Sequence, residues 1–511
     1  MTAVIRQGQY QGLNHKGVIE YRGIPFALPP VGERRFKSPA RLSESTAQFS
    51  ADQFPLASLQ MNNPIMGVNE SSQDCLYLNI WRPQGEGPFP VMVWFHGGGY
   101  LSGSISQVLY NGAELARTQN VVVVNAAYRL GALGFADFTA LAPELDAVTN
   151  AGLRDQVAAL EWVKENIEAF AGDPLAVTIF GESAGGFSVC SLLACPAASE
   201  LFHAAIVQSG AADFALLPAE ASKVAEAMVA AIPGEGGAAE RIERCSDRDW
   251  IKAQSAAVKV LVNRGLRDTT PQFAMNFLPV VDGDFLPELP INAIAKGSAR
   301  DKRLLAGVCQ DEYHFFQYGG VLAGKTSMAA LREIDDAELL RRFERGVPGH
   351  GQEADQYYRD TVTPDERRCD LDRLSAMESD RLFRVPTLRL LDAQSMQNKA
   401  CWGFQFTWPS APFGVPLGAC HVVDIPFVFG VTDTPAGLYF TGGGDEAKAL
   451  SGEVMRVWGQ FAHGTEPDWP RWQEARQVKQ FGPGDPLAPL LDGEGEALWE
   501  RIIPVPGVSA G

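Results

Sequence analysis

A serine between two glycines, in the run Gly181-Glu182-Ser183-Ala184-Gly185, is the stretch of this sequence richest in chemistry. The apolar residues just before it, Ala176 to Phe180, read as a strand, and Phe187 to about Leu193 reads as a helix. Strand, Gly-x-Ser-x-Gly, helix is the order of a nucleophile elbow. The glycines let strand and helix pass closely, and the serine is left at the bend over the helix N-terminus. Backbone N–H groups and the positive helix end then face negative charge developing on an acyl group. Chance can supply five such residues in a chain with 51 glycines, so the placement carries the weight.

A second run, His96-Gly97-Gly98-Gly99-Tyr100, directly follows the strand candidate Val91–Phe95. Three glycines let the backbone approach a ligand and turn its N–H groups inward. After an early strand such a run supplies oxyanion donors, joined by the N–H after the nucleophile. Here those donors are Gly98, Gly99 and Ala184. A serine hydroxyl also needs a base, and histidine titrates near neutrality. Of the seven histidines, His15 and His96 precede the serine, against the chain order Ser, acid, His. His203 follows the elbow helix too closely to leave room for the acid strand. His314 and His350 lie in or near the segment where the acid is sought. His463 stands before Gly464 at a helix end, where capping is the simpler role. His421, in the irregular loop Gly418-Ala419-Cys420-His421, is left. The acid must follow a late strand, and Asp311 and Glu312, beyond the strand candidate Leu304–Val308, are the best pair. Spacing does not choose between them. Asp282 and Asp284 flank Gly283 and read as turn residues.

The elements that must hold these residues alternate along the first ~230 positions, short β-rich runs with helical patterns. That alternation is the signature of a mostly parallel sheet covered by helices, an α/β fold. Val91–Phe95 and Val121–Val124 are uninterrupted apolar runs, as strands buried on both faces require. Leu153, Val157, Leu160, Val163 and Ile167 form one helical stripe, which stops before the turn signal Gly172-Asp173-Pro174. The pattern weakens from about 215 to 270. Residues of about 320–400 are charged and helical in pattern, a cover over one end of the sheet. A strand at Phe404–Thr407, the His421 loop and a helix over roughly 445–462 come next. A length of 511 suggests roughly three domains by the usual prior. With no repeat and no linker, however, residues 1–511 read as one domain with the helical insertion inside it.

Composition narrows the function. At 46% apolar and 20% charged the chain is globular, and its net charge of −18 repels phosphate backbones. The basic pairs Arg341-Arg342 and Arg367-Arg368 stand among acids and read as solvated helix faces, so no nucleic-acid partner is expected. No stretch reaches the ~18 apolar residues of a membrane span, and the first residues lack a signal-peptide core. A cytoplasmic protein is expected. The eight cysteines show no CxxC pair or Cys/His cluster, so they read as buried thiols in a reducing compartment; no metal or cofactor is expected.

Further stretches carry a family likeness: Tyr21-Arg-Gly-Ile-Pro-Phe-Ala27, Asp74-Cys-Leu-Tyr-Leu-Asn79, Ala151-Gly-Leu-Arg-Asp-Gln156, Gln208-Ser-Gly210 and Pro426-Phe-Val-Phe-Gly430. With the two glycine motifs, in this order from ~20 to ~475, the chain resembles a type-B carboxylesterase of the cholinesterase-like α/β-hydrolases. The resemblance implies an α/β-hydrolase fold, Glu312 as the triad acid, His421 as the base and Gly98, Gly99 and Ala184 as oxyanion donors. Three positions depart from the family. Tyr313 replaces the usual Gly after the acid, so the local turn is expected to differ. Gln73 replaces a Glu, so an expected salt bridge becomes at best a neutral hydrogen bond. No cysteine precedes Cys75, so the disulfide of secreted relatives cannot form.

The implied reaction is ester hydrolysis. Ser183 attacks the carbonyl, His421 takes its proton, Glu312 orients the imidazolium, and water then cleaves the acyl-enzyme. Activity is expected to fall below roughly pH 6.5, the imidazole's ordinary pKa. The first Trp is Trp81, after the Asp-Cys stretch, so the aromatic platform of choline-specific members is missing. Glu182 and the overall acidity favour neutral or cationic esters. A broad short-to-medium acyl esterase acting on small molecules is expected. Carbamate or amide hydrolysis, a lipase or peptidase, and a catalytically inactive binding protein on the same fold are the alternatives.

Overall fold

The apolar runs read as doubly buried strands form the middle of an eleven-stranded sheet. The computed structural model describes residues 1–63, 67–263, 275–362 and 370–503. The strands are β1 (Leu13–His15), β2 (Val18–Pro25), β3 (Tyr77–Pro83), β4 (Phe89–Phe95), β5 (Val122–Ala126) and β6 (Gly172–Glu182). They continue with β7 (Ala204–Gln208), β8 (Arg303–Cys309), β9 (Cys401–Phe406), β10 (Val478–Phe481) and β11 (Leu487–Ala488). Their order across the sheet is β1-β2-β3-β5-β4-β6-β7-β8-β9-β10-β11. From β5 to β10 neighbours are parallel. Antiparallel pairs close both ends. This is the α/β-hydrolase sheet expected from the sequence.

Strand alternation builds a core on each side of it. Val91, Val93 and Phe95 enter one cluster, while Met92 and Trp94 enter the other. The striped helix is α1 (Ala151–Asn166), extended by a 3-10 turn over Ile167–Phe170. The predicted turn at Gly172-Asp173-Pro174 is instead the start of β6. Its signal was real in part, because the pairing with β4 slips between Gly172 and Val177, and the Asp173 side chain accepts the Leu175 N–H. The elbow helix, α2 (Ala184–Ala194), is buried along its whole length, as its nearly all-apolar sequence requires.

Where periodicity was weak, three helices form, over Pro218–Ala231, Ala238–Arg244 and Asp247–Asn263. The described residues of about 320–400 carry a series of helices. The series is entered from α3 (His314–Leu322) and includes α4 (Gly351–Thr361), α5 (Leu371–Ser379) and α6 (Val385–Gln397). Arg341 and Arg342 both pair with Glu338 on a solvated face, whereas Arg367 and Arg368 lie outside the described residues. Towards the C-terminus come α7 (Gly444–Ala462) and α8 (Gly493–Ile502). Among the described residues, no helix is long and apolar enough to cross a membrane.

Candidate active site

Ser183 joins β6 to α2 with φ 57° and ψ −123°, a region that costs a non-glycine residue of the order of 1–3 kcal/mol. Its neighbours enforce the bend. The Ser183 N–H donates to the Gln208 carbonyl at 3.0 Å, and its own carbonyl accepts the Phe187 N–H at 2.8 Å. Two residues on, a Cβ built at Gly185 would lie 1.9 Å from the Phe95 carbonyl oxygen, so only glycine lets helix and strand meet.

The same closeness brings in the second motif. Gly97 follows β4, and a Cβ there would stand 3.1 Å from the Ser183 Cβ. Gly98 and Gly99 continue with φ of 108° and 63°, which turns the loop back on itself. The Gln60 amide fixes that return, donating to the Gly103 carbonyl at 2.7 Å and accepting its N–H at 2.9 Å. His96 is buried, and burial pushes its imidazole down to about 4, so it stays neutral and serves the loop through the Gly97 carbonyl 2.8 Å from Nδ1.

Across the site, His421 Nδ1 lies 2.6 Å from Glu312 Oε2. Both side chains are buried. The other carboxylate oxygen, Oε1, accepts the Ser209 hydroxyl at 2.5 Å and the Cys309 N–H at 2.7 Å. Glu312 is thus held by three donors. Asp311 turns elsewhere, accepting the Ala419 N–H at 2.9 Å and so tying the two loops together. Ser209 belongs to a stretch quoted for the family likeness, but nothing in its spacing marked it as a partner of Glu312.

The remaining imidazole nitrogen of His421 reaches the elbow. Nε2 is 3.1 Å from Oε1 of Glu182, the residue before Ser183; the approach is an ion-pair contact without hydrogen-bond alignment. From sequence alone Glu182 reads as a general acidic influence on substrates. In the structure it is buried against the imidazole. Asp424 completes the group, its Oδ2 accepting from Gln208 Nε2 at 2.6 Å, while Gln208 Oε1 accepts from Trp458 of α7 at 3.1 Å. Burial, reinforced by the Glu312 carboxylate, pushes Asp424 up to about 6. Burial likewise raises Glu182, partly offset by His421. For His421 burial pulls downward, but the carboxylates of Glu182 and Glu312 outweigh it and carry the imidazole above its ordinary value.

Four other histidines have partners elsewhere. His203 accepts the Val177 N–H, His463 ends α7 with Nε2 2.9 Å from the Gln119 carbonyl, and His350 faces Glu353. His314 is buried, with Nδ1 3.1 Å from the Leu417 carbonyl and Nε2 3.4 Å from Asp372. Asp282 is the turn residue expected, its Oδ1 accepting the N–H groups of Asp284 and Leu286. Tyr313 adopts φ −74° and ψ −13° at the start of α3, a helical conformation in which a side chain is at no disadvantage. Gln73 donates to the Asp247 carboxylate, a charge-assisted bond where a salt bridge was expected to be lost to a neutral one. All seven described cysteines are free, Cys75 among them. Among the described residues, no group of His, Cys, Asp or Glu is arranged to hold a metal ion.

A parallel sheet closed by antiparallel edges, a strained serine between strand and helix, and a glycine loop beside it define an α/β-hydrolase. The carboxylesterase family model matches residues 2–482, and the chain belongs to that family. The para-nitrobenzyl esterase of Bacillus subtilis (strain 168) is 35% identical over 482 residues, 91% of each chain. A carboxylesterase of Geobacillus stearothermophilus superposes with a TM-score of 0.83 at 32% identity, covering 98% of this chain and 99% of the other. A thermophilic para-nitrobenzyl esterase gives 0.82 at 30% identity, covering 97% and 99%. The chain is a carboxylesterase, a hydrolase of carboxylic esters.

Proposed function

We propose that Ser183 is the nucleophile, His421 its base, Glu312 the acid that orients the imidazole, and the N–H groups of Gly98, Gly99 and Ala184 the oxyanion hole. The observation that carries this is the 2.6 Å contact between His421 and Glu312, with the opposite imidazole nitrogen turned to the elbow that bears Ser183. Attack by the serine oxygen on the ester carbonyl passes its proton to Nε2, and Glu312 offsets the charge gained there. The oxyanion meets three backbone donors at the tip of β4 and the start of α2, each typically contributing about 3–4 kcal/mol. The alcohol departs with the proton from His421, and water returns the acyl-enzyme to the free serine.

Short-to-medium acyl groups and an arylalkyl alcohol are the substrate class. The name of the B. subtilis relative supports the alcohol, as do Phe315 and Phe316, whose rings lie 6.3 and 5.2 Å from that of His421, the group that must touch the leaving oxygen. A reducing, cytoplasmic setting is supported by the free thiols.

An organophosphate tests the assignment directly. Peptide mass spectrometry is expected to find the adduct on Ser183, and S183A is expected to lose both label and turnover, keeping at most about 10⁻³ of the wild-type rate. Turnover retained by S183A overturns it. A panel of esters graded in acyl length and alcohol type reads the substrate class.

A further inference from the structure

The helical run from Leu371 to Gln397 is interrupted at Asp380–Arg384 by a π-turn, closed by the Val385 N–H donating to the Asp380 carbonyl five residues back. Such turns are rare and concentrate at functional sites. The cause is in the sequence. Pro386 has no N–H to donate, and in an unbroken α-helix its ring would strike the carbonyl of Leu382. One extra residue removes the clash and rotates α6 by about 100° relative to an unbroken helix.

The turn touches the candidate site on three sides. Immediately before it, Ser379 Oγ accepts the Tyr313 N–H at 2.9 Å. At its far end, Arg384 Nη2 donates to the Gln310 carbonyl at 2.7 Å. These two bonds bracket Glu312 along the chain. Between them, the Phe383 ring lies 4.9 Å from that of His421 and runs parallel to Phe316, whose own ring is 5.2 Å from the imidazole. From behind, the turn is anchored by elements remote from the serine. Asp380 pairs with Arg384 and accepts the Tyr358 hydroxyl of α4 at 2.6 Å, and that oxygen accepts Trp499 Nε1–H of α8 at 2.9 Å.

A histidine's outer torsion is broad, so packing must set the plane of the ring. The 2.6 Å bond to Glu312 fixes one nitrogen, but tilting about it swings Nε2 away from the elbow. We propose that the π-turn is the positioning element for Glu312 and His421, with Phe383 the positioning residue that sets the plane of the imidazole. The proposal rests on His421 acting as the base, and it concerns orientation rather than the chemistry of the proton.

The test compares F383A, F383L, F383Y and S379A with the wild type, using one ester in steady state and the rate of organophosphate labelling at saturation. Misorientation of a base lowers kcat and leaves KM nearly unchanged. F383A is expected to lose about ten-fold or more in kcat and in labelling rate, F383L less, and F383Y is expected to recover most of both. S379A, which takes the acceptor from Tyr313, is expected to lose several-fold in kcat with an unchanged melting temperature. If F383A does not fold, F383L and S379A decide. A rise in KM with kcat and labelling rate intact makes Phe383 a pocket wall and overturns the proposal. That result is separable from failure of the catalytic assignment, which would show as unlabelled Ser183 in the wild type.

Discussion

Three buried carboxylates, those of Glu182, Glu312 and Asp424, surround one imidazole at this site, that of His421. Glu182, Glu312 and Asp424 all favour the charged ring, and together they more than offset the burial that disfavours it. In its proposed role as the base, His421 works only when neutral. Raising its pKa therefore moves the loss of activity on acidification to higher pH, above the value of roughly 6.5 expected from an unperturbed histidine. Glu182 and His421 are 3.1 Å apart and titrate as a pair, so the limb reports both groups together. Removing the charge of Glu182 takes away one of the influences that raise the imidazole. E182Q is expected to shift the acid limb of kcat/KM downward by about one pH unit, a typical effect of one close opposite charge. A pH–rate profile from pH 5 to 9 measures it, and an unmoved or rising limb contradicts the arrangement.

Between elements, the site depends on β4, β6 and α2 meeting without side chains in the way. Gly185 is the point of contact, and its Cβ would fall on the Phe95 carbonyl. G185A is expected to force apart the strand that leads into Gly97–Gly99 and the helix that begins at Ala184. The predicted result is a fall in kcat of about 10²-fold, since displacements near 1 Å cost that much. Gly452, exposed on α7 with nothing near the position of a Cβ, supplies the control. G452A is expected to leave kcat unchanged and to stabilise the helix by up to about 1 kcal/mol.

Sequence spacing revealed these meetings because close approach leaves a glycine signature, and because doubly buried strands such as Val91–Phe95 allow no polar residue. The helix Pro218–Ala231 was illegible for the opposite reason. Its many alanines give little contrast between inner and outer faces. Asp311 and Glu312 could not be told apart by spacing, since both follow β8; what separates them is three-dimensional, the Ala419 N–H for one and the imidazole for the other. The bonds that join Asp424 through Gln208 to Trp458 were not legible, although Gln208 lies in a stretch of family likeness, because a buried polar chain has no linear motif. The π-turn was hidden for a similar reason. A proline shortly after a helical stretch announces a break, without saying that the helix continues past it.

At the scale of the whole molecule, the scaffold is tied by a charge pair inside it. Arg129 follows β5 and Asp155 lies on α1, and both are almost wholly buried. Asp155 accepts the Arg129 backbone N–H at 3.0 Å and its guanidinium at 2.8 and 2.7 Å, while Arg129 also donates to the carbonyls of Arg35 and Ala151. The pair thus joins the N-terminal segment, the strand end and the helix. It also stands one residue from Tyr128, whose hydroxyl donates to the His96 carbonyl at 2.7 Å where the glycine loop begins. D155N leaves a buried guanidinium without its counter-charge, a change that costs about 3–5 kcal/mol. The exposed pair of Glu338 with Arg341 is worth less than about 1 kcal/mol, so E338Q is expected to leave stability nearly unchanged. Urea unfolding midpoints of the two variants should differ accordingly. Because the damage falls beside Tyr128, D155N is expected to lose part of its turnover even below the onset of unfolding, whereas E338Q keeps all of it. Equal midpoints for D155N and the wild type would mean that the pair adds nothing to the stability of the fold.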